Sequence, residues 1–215
     1  MRLRRRMRRS SEDPVREPSV DADMLEAFRL FKAGIQGRKG ETAVADLLAA
    51  NGLEALHDII LPDDAGLTQI DHLVRAPDGL IVLETKNLAG VIEGDPWEPQ
   101  WWQLLRDGLV RVPFQNPLRQ NYRHRQAVCR LIEQAGVTVP IRSYVVSVGT
   151  ARFLPELEPV VIGLARLTQV CSEASETAAV DPRLLSEAWC LVERTAIAHE
   201  CRREEHRLSL DVRGS

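Results

Sequence analysis

No stretch of this 215-residue sequence holds the roughly 20 consecutive apolar residues a membrane helix requires, so no membrane-spanning role is expected. Cysteine is scarce: Cys129, Cys171, Cys190 and Cys201 form no C-x-x-C pair and no zinc-ligand spacing. Cys190 and Cys201 fall on one predicted helix, about 16 Å apart at ~1.5 Å per residue, too far for a disulfide. They read as buried free thiols in a reducing compartment, and a cytoplasmic location is expected. Histidine supplies no metal pattern either. His57, His72 and His124 are isolated, and His199 and His206 stand about two helical turns apart, too distant to chelate one ion. A Gly-rich phosphate loop and a Ser or Cys nucleophile motif are both missing, which argues against a P-loop nucleotidase or a covalent hydrolase. With 44% hydrophobic and 27% charged residues, the composition fits one globular domain with appendages.

Charge is unevenly spread. The net charge is −3, and setting aside the six arginines at positions 2, 4, 5, 6, 8 and 9 leaves −9 for residues 10–215. A body that acidic is no generic basic nucleic-acid binder, whose affinity would come from neutralising phosphates. It suits a site that gathers carboxylates around a divalent cation. No apolar stretch follows the arginines, so a secretory leader is not expected, and the acidic Ser10-Ser11-Glu12-Asp13 argues against a transit peptide. Two readings of this start stay open: a solvated disordered tail, or a detachable source of phosphate affinity.

Four segments are expected along the chain: a disordered Arg-rich tail over 1–20, a helix within 21–36, a core over 37–150, and a strand and helical extension over 151–215. The apolar spacing of Leu25, Phe28, Leu30 and Phe31 predicts a first helix, Asp23–Lys32, which Gly34, Gly37 and Gly40 interrupt. A second helix is predicted from about Arg38 to Ala50, ending at Asn51-Gly52. Strand signals follow at Ala55–Leu61, Thr68–Arg75 and Leu80–Lys86, with Ala76-Pro77-Asp78-Gly79 as a tight turn. Gly90–Glu93 and Gln100–Val112 would complete an antiparallel meander. Asn116-Pro117 starts a helix to about Gln134, Ile141–Val148 and Val160–Ile162 read as strands, and two helices close the chain at about 163–172 and 181–207. Leu185, Ala188, Val192 and Ala196 make an apolar stripe on the last helix, suited to packing or to a homodimer. The pattern is α/β, a mixed β-sheet flanked by helices, plus a C-terminal helical extension.

The chemistry concentrates in Ile70-Asp71-His72-Leu73-Val74 and, after the turn, Leu83-Glu84-Thr85-Lys86. Residues two apart on a strand share a face, so Glu84 and Lys86 point the same way. Burying either charge alone would be costly. A divalent cation held by carboxylates beside a lysine gives one explanation, and a structural salt bridge gives another. A three-residue loop at 77–79 would set Asp71 opposite Thr85, and one extra residue or a bulge would set it opposite Glu84. Glu41 lies within about 60° of Val44 and Leu48 on a helical wheel, which points its carboxylate toward core or cleft. It also reads as a first-turn acid favouring the helix dipole. Gln120 borders the stripe of His124, Ala127, Leu131 and Ala135, while Arg119, Arg123 and Arg130 lie within about 40° of one another on an adjacent face. Those arginines are either a solvated basic face or contacts for a nucleic-acid backbone. His72 is expected in the core, and Trp97, Trp101 and Trp102 in strand packing rather than base stacking.

Taken together, Gly40-Glu41 with Val44 and Leu47, His57-Asp58, Leu61-Pro62, Ile70-Asp71-His72-Leu73-Val74, Gly79-Leu80, Leu83-Glu84-Thr85-Lys86-Asn87, Gly90, Trp97 and Asn116-Pro117-Leu118 with Gln120-Asn121 resemble the nuclease-related domain family, a branch of the PD-(D/E)XK nucleases. The resemblance covers about residues 37–148 and rests on the order and spacing of the motifs. It implies a restriction-endonuclease-like fold and Mg²⁺- or Mn²⁺-dependent hydrolysis of phosphodiesters, in DNA before RNA. Asp71 and Glu84 would be metal ligands, Lys86 the water-positioning cation, Glu41 a helix-borne acidic partner in the metal site, and Gln120 a further catalytic-site residue. A non-catalytic nucleic-acid or protein binding module that keeps the fold, and a hydrolase of small phosphate esters, are the rival expectations.

Overall fold

The computed structural model describes residues 20–153, 160–176 and 179–204, with backbone alone for 20–31 and 175–176. The Arg-rich start up to residue 19, and residues 205–207 of the last predicted helix, lie outside the described residues. Two compact units, 1–35 and 36–215, divide the chain, and the sheets, the cores and the site all belong to the second. The expected break at the glycines does not occur: one helix, α1, runs Val20–Ala50. A helical glycine costs only about 1 kcal/mol relative to alanine, which packing can override. Val44 and Leu48 are fully buried, and Gly40 is where the helix meets the sheet. A Cβ there would come within 2.9 Å of Asn87 Cβ and 3.3 Å of Thr85 Cγ2.

Three antiparallel strands follow: β1 (Glu54–Asp63), β2 (Gly66–Ala76) and β3 (Gly79–Lys86). The β2–β3 turn is shorter than expected. Ala76 pairs with Gly79, so only Pro77 and Asp78 intervene, and the ladder runs through Arg75↔Leu80 to His72↔Leu83. Continued one step, that register brings Asp71 level with Glu84, by a shorter loop rather than a longer one or a bulge. Gly79 makes the short turn possible: its φ of +138° suits glycine, and a Cβ would strike the Pro140 carbonyl.

The chain continues through β4 (Val91–Glu93), β5 (Gln100–Leu105), β6 (Val110–Gln115), α2 (Pro117–Gln134), β7 (Ile141–Ser147), β8 (Arg152–Phe153), β9 (Val161–Gly163), α3 (Leu164–Glu176) and α4 (Pro182–His199), then a 3₁₀ turn at Glu200–Arg202. β4, β5 and β6 do form an antiparallel meander, but in a second sheet. The first sheet is ordered β1-β2-β3-β7-β9 and the second β6-β5-β4-β8. The meander cannot extend the first sheet because β7 takes the other edge of β3, in parallel register from Leu80↔Ile141 to Lys86↔Ser147. The single strand expected over 100–112 divides into β5 and β6 at a tight turn, where Arg106, Asp107 and Gly108 all take positive φ.

With a neighbour on each edge and helices on both faces, β3 is buried from Gly79 to Thr85. Leu73, Leu80 and Val82 pack with Val128 and Ile132 of α2 and with Leu185, Trp189 and Val192 of α4. Val74, Ile81 and Leu83 pack on the other face with Val44 and Leu48 of α1 and with Leu167 and Val170 of α3. Truncating one such leucine to alanine costs about 2–5 kcal/mol. The α4 stripe of Leu185, Ala188, Val192 and Ala196 is spent inside this core. Only Cys171 among the four cysteines is buried, while Cys190 and Cys201 are exposed. No helix among the described residues is long and apolar enough to cross a membrane.

Candidate functional site

Strand alternation and register together decide which side chains meet at the carboxyl end of β3. Glu84 and Lys86 lie on the α2 face, opposite to Leu83 and Thr85, as period-two alternation requires. The Lys86 ammonium contacts Glu84 Oε1 directly and donates to Gln120 Oε1 at 3.2 Å. Gln120 sits in the first turn of α2, which Asn116 caps by accepting from Leu118 N at 2.9 Å. One turn further, His124 Nε2 stands 3.1 Å from Glu84 Oε2, and its Nδ1 stands 2.8 Å from Thr68 Oγ1. An ionised Glu84 can only accept, so Nε2–H donates to it, and in the neutral ring Nδ1 accepts the Thr68 hydroxyl. Glu84 is 1% exposed. Burial pushes its carboxyl up, but the Lys86 charge and the His124 hydrogen bond outweigh that and hold it below the usual glutamate range. Lys86 is depressed by burial and raised further by Glu84, Asp71 and Glu41, so it stays charged.

Asp71 is placed differently. Its Oδ2 accepts the Thr85 backbone N–H at 2.7 Å, yet its carboxyl is pushed up to about 8, by burial first and then by the charge of Glu84. Glu41, half-buried on α1, is raised by burial, then by Asp58 and Glu84, and is countered by Lys86. Asp71, Glu84, Glu41 and Lys86 therefore sense one another's charge, with three carboxylates set against one ammonium. Among the described residues no group of three or more His, Cys, Asp or Glu is arranged to hold a metal ion. Both Glu84 oxygens already have partners. The donor set is still hard oxygen, and carboxylates whose ionisation is disfavoured by one another are the chemistry that a divalent cation relieves.

The arginines on α2 have partners of their own. Arg123 pairs with Asp63 and donates to the Leu67 carbonyl at 2.9 Å, and Arg130 pairs with Asp64. Arg119 is exposed and donates to the Trp97 carbonyl at 3.0 Å. The tryptophans part company: Trp101 is fully buried against Phe114 and Phe153, Arg111 lies over Trp102, and Trp97 is 85% exposed. Strand packing thus explains Trp101 and not Trp97.

His72 is buried as expected, with its Nδ1 2.7 Å from that of His57. Two further residues have a place in the cluster. His124 lies on the apolar stripe of α2, yet its spacing of four from Gln120 on one helix is the signal that it faces the site. Asp58 falls level with Asp71, between the pairs His57↔His72 and Ile59↔Ile70, and takes a φ of +52°. It is held by Arg203 at 2.6 Å and Gln69 at 2.5 Å.

A family model described as nuclease-related domain matches residues 36–148, which include Glu41, Asp58, Asp71, Glu84, Lys86, Gln120 and His124. An uncharacterised protein of Bacillus anthracis is 39% identical over 105 residues, covering 46% of this chain and 48% of the relative. The chain thus spans about half the length of the curated relative it matches. No solved structure matches it.

Proposed function

Because this chain belongs to the nuclease-related domain family, we propose that it is a metal-dependent nuclease of the PD-(D/E)XK type acting on DNA, with its centre at the carboxyl end of β3. One observation carries this reading: Lys86 contacts Glu84 directly and donates to Gln120, while Asp71 caps the intervening Thr85 N–H at 2.7 Å, so a second acid adjoins a strand end where an isolated salt bridge would need one. Asp71 and Glu84 would hold Mg²⁺ or Mn²⁺, with Glu41 beside them. The bound ion supplies Lewis-acid polarisation of the phosphate and a more acidic water.

Hydrolysis joins a water oxygen to phosphorus, breaks the bond to the leaving sugar oxygen, and returns a proton to that oxygen. Lys86, steadied by Gln120, keeps one N–H beyond those it gives to Glu84 and Gln120 and offers it to the attacking water, while its charge answers the charge that builds on phosphate oxygens. His124 orients Glu84 from behind, as a positioning residue whose partner is Thr68. Cysteines without a C-x-x-C pair or disulfide spacing fit a reducing cytoplasm.

A second reading, a binding module that keeps the fold without cleaving, draws on the saturation of both Glu84 oxygens by Lys86 and His124. A cleavage assay on linear, nicked and single-stranded DNA separates the two, run with EDTA, Mg²⁺ or Mn²⁺ and with Glu84→Ala beside wild type. Metal-dependent cleavage that Glu84→Ala abolishes supports the nuclease. Wild type that cuts nothing with either ion leaves the binding module.

A further inference from the structure

Beside the cluster, on the outward face of the same helix, lies a groove of about 700 Å³ that the catalytic reading does not use. Trp97, Leu118, Arg119, Tyr122 and Arg123 line it. Trp97 is 85% exposed and Tyr122 62% exposed, an expensive way to place two large aromatic rings unless something covers them.

The turn that carries Trp97 is also tied down. Fully buried Asn116 donates its side-chain amide to the carbonyls of Pro96 at 3.0 Å and Glu98 at 2.7 Å. Trp101 Nε1 donates to the Asp95 carbonyl at 2.8 Å, Asp95 Oδ1 accepts the Trp97 N–H at 2.8 Å, and Arg119 holds the Trp97 carbonyl. An exposed ring on a rigidly held backbone loses little entropy on binding. Because Asn116 also caps α2, the Trp97 turn and Gln120 keep a fixed spacing.

We propose that this groove binds unpaired nucleotides of a DNA strand, stacking bases on Trp97 and Tyr122 with Arg119 against the backbone, and so delivers single-stranded ends or flaps to the neighbouring centre. The proposal rests on the nuclease reading for what the groove serves. Charge favours this occupant over duplex. The body of the chain from residue 10 carries −9, once the six N-terminal arginines are set aside from the net −3, so its net charge gives no help in holding the denser charge of a duplex. Arg123 is neutralised by Asp63, whereas Arg119 has no carboxylate within ion-pair reach among the described residues. Binding that depends on stacking, with one phosphate contact, should favour accessible bases and depend weakly on salt.

The test uses the full chain in EDTA, with a fluorescein-labelled 12-mer oligothymidylate and a 12-base-pair duplex as probes, read by anisotropy. Wild type should bind the single strand more tightly than the duplex. Trp97→Ala and Tyr122→Ala should each weaken it by roughly ten-fold, the effect of one lost stacked base, and Trp97→Phe should restore most of the loss. Both side chains are exposed, so these changes leave the core intact, and quenching of tryptophan emission by oligothymidylate that is present in wild type and lost in Trp97→Phe gives a second reading.

Duplex bound as tightly as single strand, alanine variants that bind like wild type, or equal displacement by an oligoglutamate peptide would each overturn the proposal. Trp97-dependent binding without cleavage in Mg²⁺ or Mn²⁺ would sink the nuclease reading and keep the groove. Cleavage with Trp97-independent binding would do the reverse.

Discussion

His124 holds Glu84: its Nε2 stands 3.1 Å from a Glu84 oxygen, and its other ring nitrogen stands 2.8 Å from the hydroxyl of buried Thr68. The contact joins α2 to the end of β3 and, with Lys86, takes up the oxygens of a carboxylate that is 1% exposed. His124→Leu leaves both buried partners, Glu84 and Thr68, without it, and each unsatisfied group costs about 1–3 kcal/mol. Urea unfolding should show a loss of about 2–6 kcal/mol in total, and His124→Gln should recover part of it. Unchanged stability in the leucine variant would mean that Glu84 has another support.

His72 sets a pH dependence of a definite sign. Burial, and then the neighbouring His57, lower its pKa from 6.5 to about 4. Between pH 6.5 and pH 4 the unfolded chain binds a proton that the folded chain refuses. Stability therefore falls as pH drops through that window, and above it the residue carries no such cost. The contribution is at most about 3 kcal/mol. His72→Leu, whose loss exposed His57 can offset by bonding to water, should flatten the slope of unfolding free energy between pH 4 and 6.5. A slope equal to wild type would place the acid sensitivity elsewhere.

The cluster was legible where it depends on short-range rules. Period-two alternation puts Glu84 and Lys86 on one face, the Pro77-Asp78 turn brings Asp71 near, and the helical wheel turns Glu41 and Gln120 inward. What escaped depends on contacts distant in sequence. The parallel pairing of β3 with β7 diverts the meander into a second sheet, and no local signal marks it. The glycines do not break α1 because a helical glycine costs little, and at Gly40 the missing Cβ lets the helix pack closely on the sheet. His124 looked apolar because its neighbours on the wheel are, and only Thr68 and Glu84, 56 and 40 residues away, give it polar work.

Gly40 tests how closely α1 must approach. A methyl group there would sit 2.9 Å from Asn87 Cβ, an atom fixed to the backbone, and 3.3 Å from Thr85 Cγ2. Alanine improves helix propensity by about 1 kcal/mol, yet the overlap should cost about 1–3 kcal/mol and move Glu41 away from Asp71 and Glu84. Gly40→Ala should therefore be no more stable than wild type, and Gly40→Val clearly less stable by thermal melting. A stabilised alanine variant would show that the helix has slack at this point.

Glu84→Ala and Lys86→Ala should both abolish cleavage, but for reasons that calorimetry can separate. Losing Glu84 removes a metal-ligating carboxylate, so Mg²⁺ or Mn²⁺ binding should weaken. It also leaves the Lys86 ammonium with Gln120 as its remaining hydrogen-bond partner. Losing Lys86 frees a Glu84 oxygen and removes the cation that competes for the acids, so metal binding should survive or tighten. The cleavage rate should fall by roughly 10²–10³, the usual effect of deleting one group that answers transition-state charge. Breaking a buried ion pair by removing one member costs about 3–5 kcal/mol, and Lys86 keeps 22% of its side chain exposed, so the lower end applies. Circular dichroism on both variants therefore has to show a folded protein before either rate is compared. If Lys86→Ala lost metal binding as fully as Glu84→Ala, the lysine would be holding the carboxylates in place rather than acting on water and phosphate, and its proposed role would fall.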